Sequence, residues 1–248
     1  MTEYVGWDDM ASIQNAMAHQ VVDHDAMPIS DVATIAGFDV TWFESGSGIA
    51  GMAILSYPDL RLIRFESAQV ESSVDYCNGF LGFREVPSFV KLFERVKGTE
   101  HEPDVLMVDG HGVLHPRRCG SASHLGVLLQ KPTIGVGKKI NNAACINTGK
   151  EIMASTSLSS PLLDKNGDVV GRSFRHTLAS KSVYVSVGHL ISLDTAFSIV
   201  SHCCKFKNPE PVRFADMMTK SISMTQFPLE YDRFKYEQTM ENHYAQYR

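Results

Sequence analysis

Two aspartates in apolar segments are the residues of this sequence best suited to chemistry. Asp39 interrupts the run AGFDVTW, and Asp109 closes the run DVLMVDG. A carboxylate buried alone is unfavourable, so each of them requires a partner or a cation. Asp109 also stands at the carboxyl end of an expected strand, where α/β sheets form ligand crevices. Placed side by side, the two carboxylates would bind Mg²⁺ or Mn²⁺, which prefer oxygen ligands and can activate water for attack on a phosphate ester.

Two further carboxylates could belong to the same site. Glu85 lies in the segment FRE, just before a helix expected to start near Pro87, and Asp216 lies in a helix that follows PEPVR. Each has a structural interpretation as well: Glu85 could pair with Arg84, and Asp216 could be an exposed helix residue. Taken singly, either residue is better explained by a structural role.

Cationic side chains follow the two expected strands that lead to the site. His115, Arg117 and Arg118 come after a glycine-rich turn and are suited to phosphate. Of Lys138 and Lys139, one could stabilise phosphate charge, although both could equally form a solvated strand end. These features favour a metal-assisted phosphate enzyme. We assign no catalytic role to three other histidines, His111, His124 and His189.

The expected elements that position these residues are those of an α/β domain. Three β-like runs joined by short turns indicate an antiparallel meander, and strands and helices then alternate, which predicts a mixed sheet flanked by helices. Residues 1–218 are expected to form one domain, with a helical or disordered extension over 219–248. The expected helices cover 8–27, 87–98, 121–130, 193–203 and 209–218, and the expected strands cover 34–43, 48–58, 60–70, 104–112, 132–139 and 184–190. Residues 141–180 are expected to be irregular, with one hairpin centred on Asn166 and Gly167.

Composition limits the setting in which the protein works. The chain has 248 residues and a formal net charge of −5, and its pI near 6.0 is not the basic footprint usual for nucleic-acid binders. A nuclease also collects acidic residues to hold metal, so phosphodiester chemistry in a locally basic cleft is not excluded. The five cysteines show no zinc-type spacing, so we expect free thiols. No leader or membrane-spanning run is evident, so we expect a protein of the cytoplasm or nucleus without membrane contact. We expect it to be a monomer.

Five ordered motifs between about residues 30 and 218 resemble the endonuclease V family, and eukaryotic members in particular. The matching segments are AGFDVTW, DYCNGFLGFREVP, DVLMVDGHGVLHPRRCGSASHLGVLLQKPTIGVGKK, VSVGHLISLDTA and NPEPVRFADMM. The resemblance implies a ribonuclease H-like fold and a substrate that is inosine-containing RNA or deoxyinosine-containing DNA. Cleavage would fall at the second phosphodiester 3′ to the inosine, leaving a 5′-phosphate and a 3′-hydroxyl. It implies Mg²⁺ as the cofactor, with Mn²⁺ as a substitute.

The resemblance also implies roles for individual residues. Asp39 and Asp109 would ligate Mg²⁺, Glu85 and Asp216 would support it, and Lys138 would steady the phosphate with His115 nearby. The inosine base would turn out of its stack into a pocket lined by main-chain groups. By analogy, the residues of that pocket and of the wedge that replaces the base are Tyr76, Gly79, Leu81, Gly110, Gly120 and Ser121.

The wedge departs from the bacterial family pattern, in which prolines surround the tyrosine. Here Asp75 precedes Tyr76, and Asn78 follows two residues later. A less rigid, more acidic tip is compatible with a single-stranded substrate, which has no opposing strand to separate. The segment HCCKFKNPEPVRFAD and the insertion 141–180 resemble eukaryotic members of the family, and this resemblance implies a preference for inosine in RNA. Two alternatives stay open: another ribonuclease H-like nuclease without inosine specificity, and a non-catalytic inosine binder. The carboxylate set argues against the second.

Overall fold

One mixed sheet carries the whole fold of the residues described by this computed structural model, 7–71 and 76–225. The sheet has eight strands. They are β1 (Thr34–Trp42), β2 (Ser47–Ser56), β3 (Leu62–Glu71), β4 (Val105–Asp109), β5 (Thr133–Gly137), β6 (Ser159–Leu163), β7 (Val169–Phe174) and β8 (Val183–His189).

The strand order is β3-β2-β1-β4-β5-β8-β7-β6. The first three strands form the expected antiparallel meander. Strand β4 then pairs in parallel with β1, and β5 pairs in parallel with β4. The remaining neighbours pair antiparallel. The carboxyl ends of β1, β4 and β5 therefore open at the same edge of the sheet, where such folds bind ligands.

Helices cover both faces of the sheet. The helices of the described residues are α1 (Trp7–Ala18), α2 (Leu81–Glu94), α3 (Ser121–Leu129), α4 (Gly149–Ala154), α5 (Leu193–Cys203) and α6 (Glu210–Thr225). One core layer joins the sheet to α2 and α3, and a second joins it to α5 and α6. Within β1, Phe38 packs in the α2 layer, whereas Ile35 packs in the α6 layer, as the two-residue alternation of a strand requires.

Two helices differ from the sequence-based expectation at their ends. Helix α1 stops at Ala18 and does not reach residue 27, because the chain beyond it bonds to the end of β8: the Leu190 amide donates to the Val22 carbonyl. Helix α2 starts at Leu81, so Pro87 lies inside it. Proline is favoured near a helix start but is tolerated inside when tertiary packing outweighs the lost hydrogen bond. Glu85 consequently lies in a helix and not before one.

The segment 141–180 is more ordered than expected. It contains α4, β6 and β7, and the expected hairpin at Asn166 and Gly167 joins the two strands. Helix α4 has a capping box, in which Thr148 and Glu151 satisfy each other's backbone amides. This Thr-x-x-Glu spacing is readable in the sequence.

Helix α6 continues beyond the expected domain boundary. It runs through Thr225, and Thr219 is buried and shares a 2.8 Å hydrogen bond with Thr41 of β1. The helix approaches β1 so closely that a Cβ atom on Gly37 would lie 2.0 Å from the Pro211 carbonyl carbon. Residues 219–225 thus extend the domain past 218, and the rest of the expected extension, 226–248, lies outside the described residues. No helix in the described ranges is long and apolar enough to cross a bilayer.

Candidate active site

Asp39 and Asp109 occupy neighbouring strands at the open edge of the sheet. In the β1–β4 pairing Phe38 is opposite Val108, so the two aspartates that follow are adjacent and point to the same face. Their side chains are 13% and 15% exposed. The side-by-side arrangement anticipated from the two apolar runs is therefore present in the structure.

Lys138, which follows β5, joins this pair. Its ammonium forms an ion pair with Asp109 and lies 3.9 Å from Asp39 Oδ2. Burial opposes the charge of this lysine, but the two aspartates outweigh that effect and raise its pKa. Lys138 therefore remains a cation at the wall of the site. Lys139 lines the adjacent cleft together with Lys138.

Asp216 reaches the same face from α6. Burial disfavours its charge, but hydrogen bonds from Lys220 and Asp39 outweigh burial and lower the pKa of Asp216. The Lys220 ammonium lies 2.8 Å from the Asp216 carboxylate. The close approach of α6 at Gly37 is the packing feature that brings this carboxylate over β1.

Glu85 approaches the site from α2, on the other face of the sheet. Its Oε1 accepts a 3.1 Å hydrogen bond from Trp42 Nε1, and the Arg84 guanidinium stacks on the Trp42 ring at 3.8 Å. Burial raises the pKa of Glu85 to about 7, and the charge of Asp109 adds to the rise. Glu85 is thus close enough to Asp109 for that charge to affect its pKa. Its hydrogen-bond partner is Trp42, which the sequence analysis did not identify.

The donor set fits a hard divalent cation. Burial, followed by the charge of Asp109, raises the pKa of Asp39, and the single proton of its carboxyl can be shared with either Asp109 or Asp216. A proton and the Lys138 ammonium therefore neutralise an all-oxygen cluster, which is the ligand chemistry that Mg²⁺ prefers. Asp39 and Asp109 would hold the ion, with Glu85 and Asp216 beside them. Such an ion supplies polarisation of a phosphoryl oxygen and activation of water.

Within residues 7–71 and 76–225, no group of three or more histidine, cysteine, aspartate or glutamate side chains is arranged to hold a metal ion by itself. Mg²⁺ sites commonly use one or two carboxylates, with water and substrate phosphate completing the coordination. The open arrangement around Asp39 and Asp109 is of this kind, because one side of it faces a cleft.

That cleft has a volume of about 850 Å³ and is lined by Asp109 and by the expected substrate residues. Asp109 and Lys138 line one part of it. Tyr76 lines another and is 68% exposed, a degree of exposure that does not suit a core aromatic. All the residues expected to contact substrate line this single cleft: Tyr76, Gly79, Leu81, Gly110, Gly120 and Ser121.

His115 also lines the cleft, but backbone groups engage both of its ring nitrogens. Nδ1 accepts from the Arg117 amide at 3.2 Å, so Nε2 carries the hydrogen and donates to the Gly79 carbonyl at 3.0 Å. Burial and the nearby Arg117 charge lower the pKa of His115 to about 4. The imidazole is therefore neutral near pH 7. In this arrangement it holds the main chain and does not offer a free nitrogen to phosphate.

The other three histidines have varied surroundings. His111 lines the cleft, and burial lowers its pKa to about 4. His124 packs edge-on against Phe83 with ring centroids 4.9 Å apart. His189 ends β8, where its Nδ1 accepts from the Val22 amide at 3.2 Å.

Gln14 of α1 is a cleft residue that the sequence analysis missed, because it looks like an ordinary position on a helix.

Comparisons with known proteins identify the family of the chain. The family model of Endonuclease V matches residues 15–217. The chain is 38% identical to Endonuclease V of Mus musculus over 84% of this chain and 66% of the mouse protein. The crystal structure of the catalytic domain of human Endonuclease V is similar with a TM-score of 0.81 and 36% identity, covering 86% of this chain and 93% of that one.

A further similar structure is Ciona intestinalis Endonuclease V in complex with a 24mer DNA containing an inosine followed by a ribo-adenosine. Its TM-score is 0.82 at 28% identity, covering 88% of this chain and 98% of that one. The expected ribonuclease H-like mixed sheet is confirmed by these neighbours and by the strand order. The chain belongs to the endonuclease V family.

Proposed function

We propose that this protein is a Mg²⁺-dependent endonuclease that cuts a nucleic-acid strand at the second phosphodiester 3′ to inosine, leaving a 5′-phosphate and a 3′-hydroxyl. Family membership supports endonuclease activity. The observation that carries the finer proposal is the single cleft. It joins the Asp109–Lys138 pair to the exposed Tyr76 and to the glycines expected to surround the base.

Each of these residues would have a role that follows from its position in the cleft or beside it. Asp39 and Asp109 would hold the cation, and Mn²⁺ would substitute for Mg²⁺ because both prefer oxygen ligands. Lys138 would stabilise charge on the scissile phosphate. The exposed Tyr76 would fill the space left by the displaced base.

Single-stranded RNA is the substrate that we favour over duplex DNA. The support is the sequence around Tyr76, where Asn78 stands in place of a rigid proline and Asp75, outside the described residues, adds a negative charge. A single strand needs no wedge to separate it from a partner. The Ciona relative was crystallised with a 24mer DNA that contains an inosine followed by a ribo-adenosine, and we extend acceptance of a ribonucleotide at that one position to this chain.

The test is a cleavage assay on four matched oligonucleotides, RNA and DNA, each with one inosine or with adenosine in its place. We expect cutting only with a divalent cation, faster on inosine RNA, and absent for Asp109→Asn. Product ends are read by phosphatase sensitivity and by comparison with size markers. Comparable cutting of the adenosine strand would favour a ribonuclease H-like nuclease without inosine specificity, and binding without any cutting would favour a non-catalytic inosine binder.

A further inference from the structure

We propose that Gln14 is a positioning residue that, with His115 and Arg117, clamps the Gly79 carbonyl and thereby sets the preference for inosine. The proposal rests on the function proposed above. It concerns the recognition turn, which we define as residues 76–80 and which lines the cleft through Tyr76 and Gly79. Gln14 itself lies on α1, far from this turn in sequence.

Three side chains donate to one carbonyl oxygen. Gln14 Nε2 lies 3.0 Å from Gly79 O, His115 Nε2 lies 3.0 Å from it, and Arg117 Nη2 lies 2.9 Å from it. A carbonyl oxygen has two lone pairs, so three donors saturate it. Gly79 has a φ of +85°, a left-handed conformation that glycine adopts readily. The clamp therefore acts where the backbone of the recognition turn has an unusual geometry.

Gln14 uses both ends of its amide, and its side chain is only 1% exposed. Besides Gly79, its Nε2 donates to the Cys119 carbonyl at 2.9 Å, and its Oε1 accepts from Arg117 Nε at 2.6 Å. A buried amide with every contact satisfied is rigid, and removing it leaves polar partners unsatisfied. Gln14 thus joins three distant segments of the chain: α1, the recognition turn and the loop before α3.

Arg117 holds the next residue of the turn as well. Its guanidinium lies 4.2 Å from the ring centroid of Phe80, and the Trp7 ring packs against the same phenylalanine at 5.3 Å. Without the Gln14 acceptor, Arg117 Nε loses its partner. The position of this guanidinium over Phe80 therefore depends on Gln14.

The clamp should affect binding and selectivity more than the chemical step. Tyr76 and Gly79 line the cleft from the recognition turn, and Leu81 lines it from the start of α2. Asp39 and Asp109 lie on the sheet, and no hydrogen bond of the described residues joins either of them to Gln14. Loosening the turn would misplace the base without disturbing the carboxylates. KM and selectivity should therefore change more than kcat.

The experiment compares Gln14→Met with Asn15→Met in the full-length protein. Both changes replace an amide with the same helix-compatible side chain, but Asn15 is exposed on α1. On inosine RNA we expect Gln14→Met to raise KM about tenfold with kcat within about twofold, and to lower the ratio of inosine to guanosine cleavage about fivefold. Asn15→Met should match the wild type. Gln14→Glu keeps an acceptor for Arg117 but removes both N–H donors, so we expect it to resemble Gln14→Met.

A second readout does not require activity. Cys77 lies within the recognition turn and is partly accessible, whereas the other four cysteines are buried. We expect iodoacetamide to alkylate Cys77 at least about threefold faster in Gln14→Met than in Asn15→Met, because the loosened turn opens more often.

Unchanged KM, unchanged inosine selectivity and an unchanged rate of Cys77 alkylation would overturn the proposal. So would a purely structural outcome, in which Tm and the active fraction fall together while KM, selectivity and Cys77 alkylation stay constant. If the wild type itself cuts inosine and adenosine strands equally, the proposed function fails, and Cys77 alkylation alone then decides for or against the clamp.

Discussion

Replacing Asp39 with asparagine should make the metal-free protein more stable while abolishing cleavage. Asp39 is buried beside Asp109 and Asp216, and these surroundings raise its pKa to about 9, with burial as the largest cause. Asparagine has nearly the same shape but never carries the charge. Because asparagine is neutral without taking up a proton, it avoids the pH-dependent cost of protonating Asp39 when no cation is bound.

The size of the effect follows from the proton that Asp39 keeps in the folded state. An aspartate in the unfolded chain titrates near pH 3.9, so between about pH 4 and pH 9 the folded protein holds one proton more than the unfolded chain. Stability contributed by this proton is fully present below about pH 4 and is lost as the pH rises. For one proton the loss is about 1.4 kcal/mol per pH unit, or about 4 kcal/mol between pH 5 and pH 8, as an upper limit.

The assay is urea unfolding in EDTA at several pH values between 5 and 8, for the wild type, Asp39→Asn and the exposed control Asp59→Asn. We expect the free energy of unfolding of the wild type to fall more steeply with pH than that of Asp39→Asn, while the control follows the wild type. Excess Mg²⁺ should stabilise the wild type by binding its folded state and should have less effect on Asp39→Asn. Parallel pH profiles for the two would refute the reasoning, because Asp39 would then hold no extra proton.

Three further changes test other parts of the site. Lys138→Ala should lower kcat on inosine RNA by about 10²-fold, because a cation at a reacting phosphate is lost. Lys139→Ala should have a smaller effect, and an equal fall in kcat for the two variants would leave Lys138 without a special role. Glu85→Gln should raise the Mg²⁺ concentration for half-maximal activity by about tenfold, as expected of a residue beside the ligands, and an unchanged Mg²⁺ titration would exclude Glu85 from the site. Tyr76→Ala should raise KM without lowering Tm, because the ring is 68% exposed; a large fall in Tm would instead indicate a packing role.

The features predicted correctly from the sequence were those whose sequence pattern has a clear physical cause. Asp39 and Asp109 stood out because a charge inside an apolar strand is unfavourable without a partner, and the structure places them on adjacent strands. The meander and the hairpin at Asn166 and Gly167 followed from alternation and turn chemistry. The resemblance to known motifs then indicated the cleft residues, which physical reasoning alone did not identify.

What the sequence did not reveal depends on contacts between distant segments. Gln14 was missed because its partners are Gly79, Arg117 and Cys119, none of which is near it in the chain. Trp42 was missed as the donor to Glu85 for the same reason. The start of α2 was misplaced because Pro87 is a common signal for a first helical turn, and only tertiary packing places it inside the helix.

The site draws its carboxylates from the first strand and the last helix of the described sheet domain. Asp39 lies on β1, and Asp216 lies on α6, which seats against β1 at Gly37. During synthesis, a ribosome-bound chain that has emerged only through Lys138 already carries Asp39 and Asp109, yet it lacks both Asp216 and the helix that covers this face of the meander. The acidic cluster can therefore be complete only after α6 has been synthesised, and nascent chains on polysomes contain only some of its carboxylates.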